Sequence, residues 1–241
     1  MRDAILITGG SNGIGRAIID RLGSEGFQTI NLDRQAPVQL SPNECHICLD
    51  LMDSRTLQDV LEVLSNEYEI LRVVNNAATV RPALLEDTTL DDIRAVMQLN
   101  IEAPVLISRH FVPGMRRRKF GRIVNISSRA ALGKEMRTAY AASKAGILGM
   151  TRTWALELAA YGITVNAIGP GPIATELFTA ANPPDSPRTS RILETIPVRR
   201  LGRPAEIAHA VSFFLDDRAG FITGQVLYAC GGMTVGLGNM A

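Results

Sequence analysis

Seven short apolar runs recur along the chain, at residues 4–8, 28–32, 45–49, 71–75, 121–127, 163–168 and 225–228. Most are continuous in Val, Ile and Leu and do not alternate apolar with polar. A strand wetted on one face alternates, so a continuous run marks a strand buried on both faces, as in a parallel sheet covered by helices. Parallel neighbours need long crossovers, and helix-patterned stretches at 13–26, 54–67, 90–99, 102–117, 138–161 and 205–215 supply them. In the second of these, Leu57, Val60, Leu61 and Leu64 keep the helical period. The chain therefore reads as α/β: one domain over residues 1–241, built on a doubly wound, mostly parallel, seven-stranded sheet.

One stretch breaks the rhythm. Between Pro170 and Pro204 lie Pro172, Pro183, Pro184, Pro187 and Pro197. A connection this long inside a compact domain is a functional loop or a disordered one. It reads as a lid over a ligand, at about 173–203, with a short helix at 190–195.

Charge narrows the function. Lys and Arg number 25 against 24 Asp and Glu, which argues against a nucleic-acid binder, since that needs a basic face. No apolar run approaches the roughly 20 residues of a membrane span, and the apolar segment after Met1-Arg2-Asp3 is too short for a secretory leader. The expectation is a cytoplasmic protein. Cys45 and Cys48 enclose His46 in a C-x-x-C. Residues three apart on a strand face opposite ways, so the pair reads as structural. No metal site is expected.

The first strand ends in Thr8-Gly9-Gly10-Ser11-Asn12-Gly13-Ile14-Gly15. Glycines let a backbone turn sharply and approach a pyrophosphate, and the helix that follows offers free N–H groups at its positive end. A strand before and a helix after are the context this motif requires, and they mark a Rossmann-like dinucleotide site. The second strand leads into Asp33, whose carboxylate suits the ribose 2′-hydroxyl of NAD and repels the 2′-phosphate of NADP. Asn12, inside the loop, is neutral. Arg34 could pair with that phosphate and keeps NADP as the less favoured alternative.

Tyr140-Ala141-Ala142-Ser143-Lys144 places a phenol and an ammonium four residues apart on one helical face. A phenol titrates near about 10, and a neighbouring cation lowers that value enough for proton exchange. Asn125-Ile126-Ser127-Ser128 closes a strand at the carboxyl edge of the sheet, where ligands bind in open α/β folds.

Taken together, T-G-x-x-x-G-x-G at 8–15, N-N-A at 75–77, Asn100, Ser127, Tyr140-x-x-x-Lys144 and Pro170-Gly-x-x-x-Thr175 resemble the single-domain branch of the short-chain dehydrogenase/reductase family. The resemblance spans essentially the whole chain, with Ser127 thirteen positions before Tyr140. Ala78 departs from it, standing where the family usually has Gly. It implies an NAD(P)-dependent oxidoreductase moving a hydride between nicotinamide and a secondary alcohol or ketone. Tyr140 would be the general acid/base. Lys144 would lower its pKa and hold the nicotinamide ribose. Ser127 would orient the reacting oxygen, and Asn100 would hold a water linking Lys144 to solvent. Among cofactor contacts, Asp50 and Leu51 would flank adenine, Asn76 and Ala77 the adenosine ribose, and Pro170, Gly171, Ile173 and Thr175 the nicotinamide. A homotetramer is implied as well.

Two alternatives remain at this point. One is an NADPH-dependent 3-oxoacyl thioester reductase. The other is a non-catalytic NAD-binding regulator, which would be expected to lack Tyr140 or Lys144. Arg81, Arg129, Lys134 and Arg137 fall in loops at the site's edge, and one of them could contact an anionic or strongly polar substrate. Their plainer reading is that they face water or the cofactor phosphates. The basic run Arg116–Lys119 reads as a solvated helix end, and Met150, Trp154 and Leu158 as packing.

Overall fold

Strand β1 (Arg2–Thr8) is central, paired in parallel with β2 (Thr29–Asp33) on one side and β4 (Tyr68–Asn75) on the other. The computed structural model describes residues 2–183 and 186–236. Pro184 and both ends of the expected 1–241 domain therefore lie outside the described residues. With β3 (Glu44–Cys48), β5 (Gly121–Ile126), β6 (Ile163–Ile168) and β7 (Val226–Leu227), the sheet runs β3-β2-β1-β4-β5-β6-β7. Every pairing is parallel. The chain winds outward from β1 to β3 and crosses back to β4. That reversal opens a crevice at the carboxyl ends of β1 and β4, where open α/β sheets bind ligands.

The alternation of side chains along β1 divides the core. Ala4 and Leu6 pack with α2 (Ser54–Glu67), α4 (Ala103–Arg118) and α5 (Thr138–Leu158) on one face. Ile5 and Ile7 pack with α1 (Gly13–Ser24) and α8 (Pro204–Leu215) on the other. Leu57, Leu61 and Leu64 are the buried stripe of α2, and Leu158 is buried at the end of α5 with Trp154 beside it. The thiols of β3 point apart: Cys45 lies against Tyr68, while Cys48 reaches the Arg34 carbonyl at 3.5 Å. Among the described residues, no helix is long and apolar enough to cross a membrane.

Three stretches differ from expectation. The helices expected at 90–99 and 102–117 join: α3 (Leu90–Met97) runs through a π-turn at Gln98–Glu102 into α4. The 173–203 connection carries two short helices where one was expected, α6 (Glu176–Ala181) and α7 (Pro187–Glu194). Thr175 and Ser186 cap them by accepting N–H bonds from Phe178 and Thr189, and Pro187 stands in a first turn, where it costs no hydrogen bond. The expected final strand, 225–228, shrinks to Val226–Leu227.

A polar seam fixes α5 to the sheet below the site. Asn75 Nδ2 donates to Asn125 Oδ1 at 2.8 Å, and Asn125 Nδ2 donates to Thr151 Oγ1 at 3.0 Å, all three residues being buried. Asn125→Leu strips Asn75 of one acceptor and the Thr151 hydroxyl of its donor. Buried groups left unpaired cost about 1–3 kcal/mol, so thermal unfolding should show a midpoint several degrees lower. An unchanged midpoint would mean that the seam contributes nothing to stability.

Candidate active site

The phosphate loop is shaped by its contacts with strand ends. Thr8 Oγ1 accepts the N–H groups of Asn76 and Ala77, both at 3.0 Å. The Asn76 amide donates to the carbonyls of Thr8 and Gly9. Asn31 Oδ1 accepts the N–H of Gly10 at 2.9 Å. Gly9 and Gly13 turn through positive φ, +66° and +53°. A methyl group on Gly15 would sit 1.9 Å from the Gly9 carbonyl oxygen, so only glycine closes this loop. Asn12 occupies the cap position of α1 without capping it, and the first turn holds no acidic residue. The free N–H end of α1 is thus open to a diphosphate. The residues present fit a dinucleotide.

At the end of β2, Asp33 accepts the N–H of Ser11 through Oδ2 and that of Gln35 through Oδ1, both at 3.0 Å. Asn12 reaches Gln35 Oε1. Arg16, the cation nearest the loop in sequence, is committed elsewhere: it pairs with Asp20 at 2.9 Å and Glu44 at 2.8 Å. Arg34 is exposed. Asp50 and Leu51 follow β3 at the same edge, Leu51 buried and Asp50 turned to accept the N–H of Met52.

The second half of the crevice brings together Tyr140, Lys144, Ser128 and Asn100. Lys144 is 2% exposed, and its Nζ donates to the Ile126 carbonyl at 2.7 Å. Burial lowers its pKa to about 7. Tyr140 lies one helical turn earlier, its ring centroid 5.6 Å from Lys144 Nζ. Burial pushes the phenol above its ordinary value, while the Ser128 hydroxyl and the Arg137 guanidinium pull it down. The ammonium is turned to a main-chain carbonyl, an orientation the spacing does not predict.

The serines also need a correction. Ser127 continues the strand into the interior, where its Oγ donates to the Lys144 carbonyl at 2.7 Å. It braces α5 and does not face a reacting oxygen. Ser128, twelve positions before Tyr140, is the hydroxyl beside the phenol. It opens the 3₁₀ turn Arg129–Leu132 and accepts the N–H of Ala130. Alternation along β5 was the signal that could have separated the two. Asn100, in the π-turn, is fully buried. It accepts the N–H of Thr79 and donates to the Thr79 carbonyl and to Ser143 Oγ at 3.0 Å. Its side chain thus holds Ser143, the neighbour of Lys144, and is fully occupied there.

The start of the 173–203 connection is tied to both halves of this crevice. The Pro170 carbonyl accepts the N–H of Arg129, Gly171 N–H reaches Ala229, and Ile173 bridges to Gly202. The Thr175 methyl lies against the Cα face of Gly13, so the start of the lid and the phosphate loop touch.

With this geometry in hand, comparison with known proteins is decisive. The family model described as enoyl-(acyl carrier protein) reductase matches residues 9–234. The chain belongs to the short-chain dehydrogenase/reductase family. It is a nicotinamide-dependent oxidoreductase. It is 39% identical over 239 residues to an acetoacetyl-CoA reductase of Shinella zoogloeoides, covering 96% of this chain and 98% of that one. It is 35% identical over 236 residues to a 3-oxoacyl-(acyl-carrier-protein) reductase of Haemophilus influenzae, covering 95% and 96%. Among solved structures, a putative NAD(P)-dependent gluconate 5-dehydrogenase of Beutenbergia cavernae with bound NADP superposes with a TM-score of 0.92 at 32% identity, over 97% of both chains.

Because burial lowers Lys144 to about 7, the unfolded chain binds the extra proton between that value and about 10.4. Stability contributed at this site therefore rises with pH across that window. Lys144→Met removes the buried charge. Its melting temperature relative to the parent should be highest near pH 7 and should converge toward it by pH 10, measured without cofactor. A difference independent of pH would overturn this account of Lys144.

Proposed function

We propose that the chain interconverts a secondary alcohol and its ketone, with Tyr140 as general acid/base and NAD preferred over NADP. The observation that carries this is the Tyr140 phenol flanked by the Ser128 hydroxyl and the Arg137 guanidinium, one turn from Lys144, at the carboxyl edge of a dinucleotide-binding sheet.

When bound, the nicotinamide supplies or receives the hydride. The protein's part is to hold the substrate and move the proton. Ser128 donates to the substrate oxygen and fixes it against the phenol, an electrostatic role. In oxidation the ionised Tyr140 takes the hydroxyl proton; in reduction its phenol gives one to the carbonyl oxygen. Lys144, released from Ile126, would hold the ribose and bring positive charge to the phenolate. Ser127 and Asn100 keep α5 in register for both. Gly9, Ser11, Asn12, Gly13, Ile14 and Gly15 would cradle the diphosphate, and Asn76 and Ala77 the adenosine ribose. Asp50 and Leu51 would flank adenine. Pro170, Gly171, Ile173 and Thr175 would meet the nicotinamide under the 173–203 lid.

The cofactor preference rests on Asp33. Its carboxylate is held at the crevice by two main-chain N–H groups, and Arg16 is occupied by two carboxylates. A 2′-phosphate would meet an anion with only exposed Arg34 to answer it. NADPH-linked reduction of a 3-oxoacyl thioester is the second reading, favoured by the two relatives named above. A homotetramer fits the exposed Phe213, Phe221 and Leu227 beside the last strand.

Tyr140→Phe should lower turnover by about 10²–10⁴-fold, the range for a lost general acid/base, with cofactor binding retained. Ser128→Ala should lower kcat/KM by about 10²-fold or more; if Ser127→Ala cost as much and Ser128→Ala little, the assignment of the two serines would be reversed. Parallel titrations should show NAD binding more tightly than NADP, and Asp33→Ala should narrow the gap. Tighter NADP binding by the parent protein would favour the reductive reading.

A further inference from the structure

Cations collect on the segment that joins Ser128 to Tyr140 and on the helix facing it. Arg129 follows Ser128 directly, its backbone N–H bonded to Pro170 at 2.9 Å. Arg137 stands at the amino end of α5, three residues before Tyr140. Among the described residues, its guanidinium meets the Met136 carbonyl, at 2.9 Å. Lys134 lies in the loop joining the two, and Arg188 comes from the lid helix α7. Among the described residues, none of these four forms an ion pair with a carboxylate. Asp185 lies outside them.

The four are close enough to feel one another. Burial and then repulsion from Arg137, Arg129 and Arg188 hold the Lys134 ammonium below its usual range. The Arg137 charge also reaches the Tyr140 phenol. Like charges gathered this way cost free energy unless an anion offsets them. The diphosphate cradle is at the other end of the crevice, on α1, where Arg16 is spent on carboxylates and exposed Arg34 faces the adenosine end. The charge of these four lies on the substrate side.

Distance limits what it can bind. Three residues of helix rise about 4.5 Å, and Arg129 is one residue from Ser128, about 3.8 Å between Cα atoms. An anion held by side chains rooted this close to Ser128 and Tyr140 lies no farther than an arginine's reach from the reacting carbon. A thioester of a long carrier arm would put its phosphate far outside this reach.

We infer that the substrate is a short hydroxy acid or oxo acid, its anionic group received by Arg129 and Arg137 with Lys134 and Arg188 closing over it. The inference rests on the oxidoreductase reading above. The shared chemistry is a small oxyanion, and a carboxylate or a phosphate ester could supply it. An arginine fork accepts either in bidentate fashion.

The test uses the full chain with NAD. Four- to six-carbon hydroxycarboxylates are compared with their uncharged amides and with phosphate monoesters of matching polyols. The expected result is kcat/KM at least ten-fold higher for one anionic class than for the amides. The double variant Arg129→Gln, Arg137→Gln should erase that preference by raising KM for the anion and not for the amide, with NAD affinity unchanged; kcat should fall alike on both classes, since Arg137 also acts on the Tyr140 phenol. Carboxylate-selective and phosphate-selective turnover identify the source. Equal rates on acids and amides, or a preference that survives in the double variant, overturn the proposal while leaving the oxidoreductase reading intact. Fluorescence titration of the NAD-loaded protein separates the two readings. Saturable anion binding lost in the double variant, without turnover, supports the anion site and counts against the redox reading. Absence of both binding and turnover overturns the proposal.

Discussion

The join between the ends of β1 and β4 is the constraint on which the site depends. Thr8 accepts two N–H groups from Asn76 and Ala77, and Asn76 returns its amide to the carbonyls of Thr8 and Gly9. These bonds lie where the winding of the sheet reverses. They hold the crevice open at one width and set the glycine loop at one angle to it. The loop is held from the strand ends, its Gly10 and Ser11 N–H groups taken by Asn31 and Asp33, and α1 begins without a side-chain cap. On the far side of β4, the seam from Asn75 through Asn125 to Thr151 carries the same register to α5, and with it Tyr140 and Lys144. Both halves of the site are thus referred to one strand.

The fold was legible because a parallel sheet needs what this sequence displays: continuous apolar runs with helical crossovers between. Boundaries moved by one to three residues, since strand ends depend on partners that the local pattern does not contain. The lid was misread for a different reason. Its prolines look like breaks, yet Pro187 sits in a first turn, where a proline costs the helix no hydrogen bond, behind the cap Ser186. The π-turn was invisible because its residues suit an ordinary helix and only packing against Ser143 and Thr79 selects the wider turn.

At the site, residue identity was easier to read than residue direction. The Tyr140–Lys144 spacing places both on one face, and the structure keeps them there. Spacing to the serine could not choose between neighbours, and the choice belongs to the strand: Ser127 is still in its pleat and faces α5, while Ser128 is the first residue out of it. Lys144 shows the same limit. Its position was readable, but not that its ammonium would turn to the Ile126 carbonyl. The cofactor's class follows from the family and the loop, while the choice between NAD and NADP comes down to which charges near Asp33 are already paired.

The π-turn at Gln98–Glu102 has a consequence for how the chain can change length. It takes up one residue more than a regular turn while α3 and α4 on either side keep their buried faces. Removing a single residue there would let the turn close into an ordinary helix while α3 and α4 kept their facing, so Ile107, Phe111 and Met115 would stay on the sheet. What would be lost is the wide turn itself, and with it the position from which Asn100 reaches Thr79 and Ser143. The core thus tolerates a one-residue shortening that the neighbourhood of the lysine does not, and this turn separates what the chain needs to fold from what it needs at the crevice.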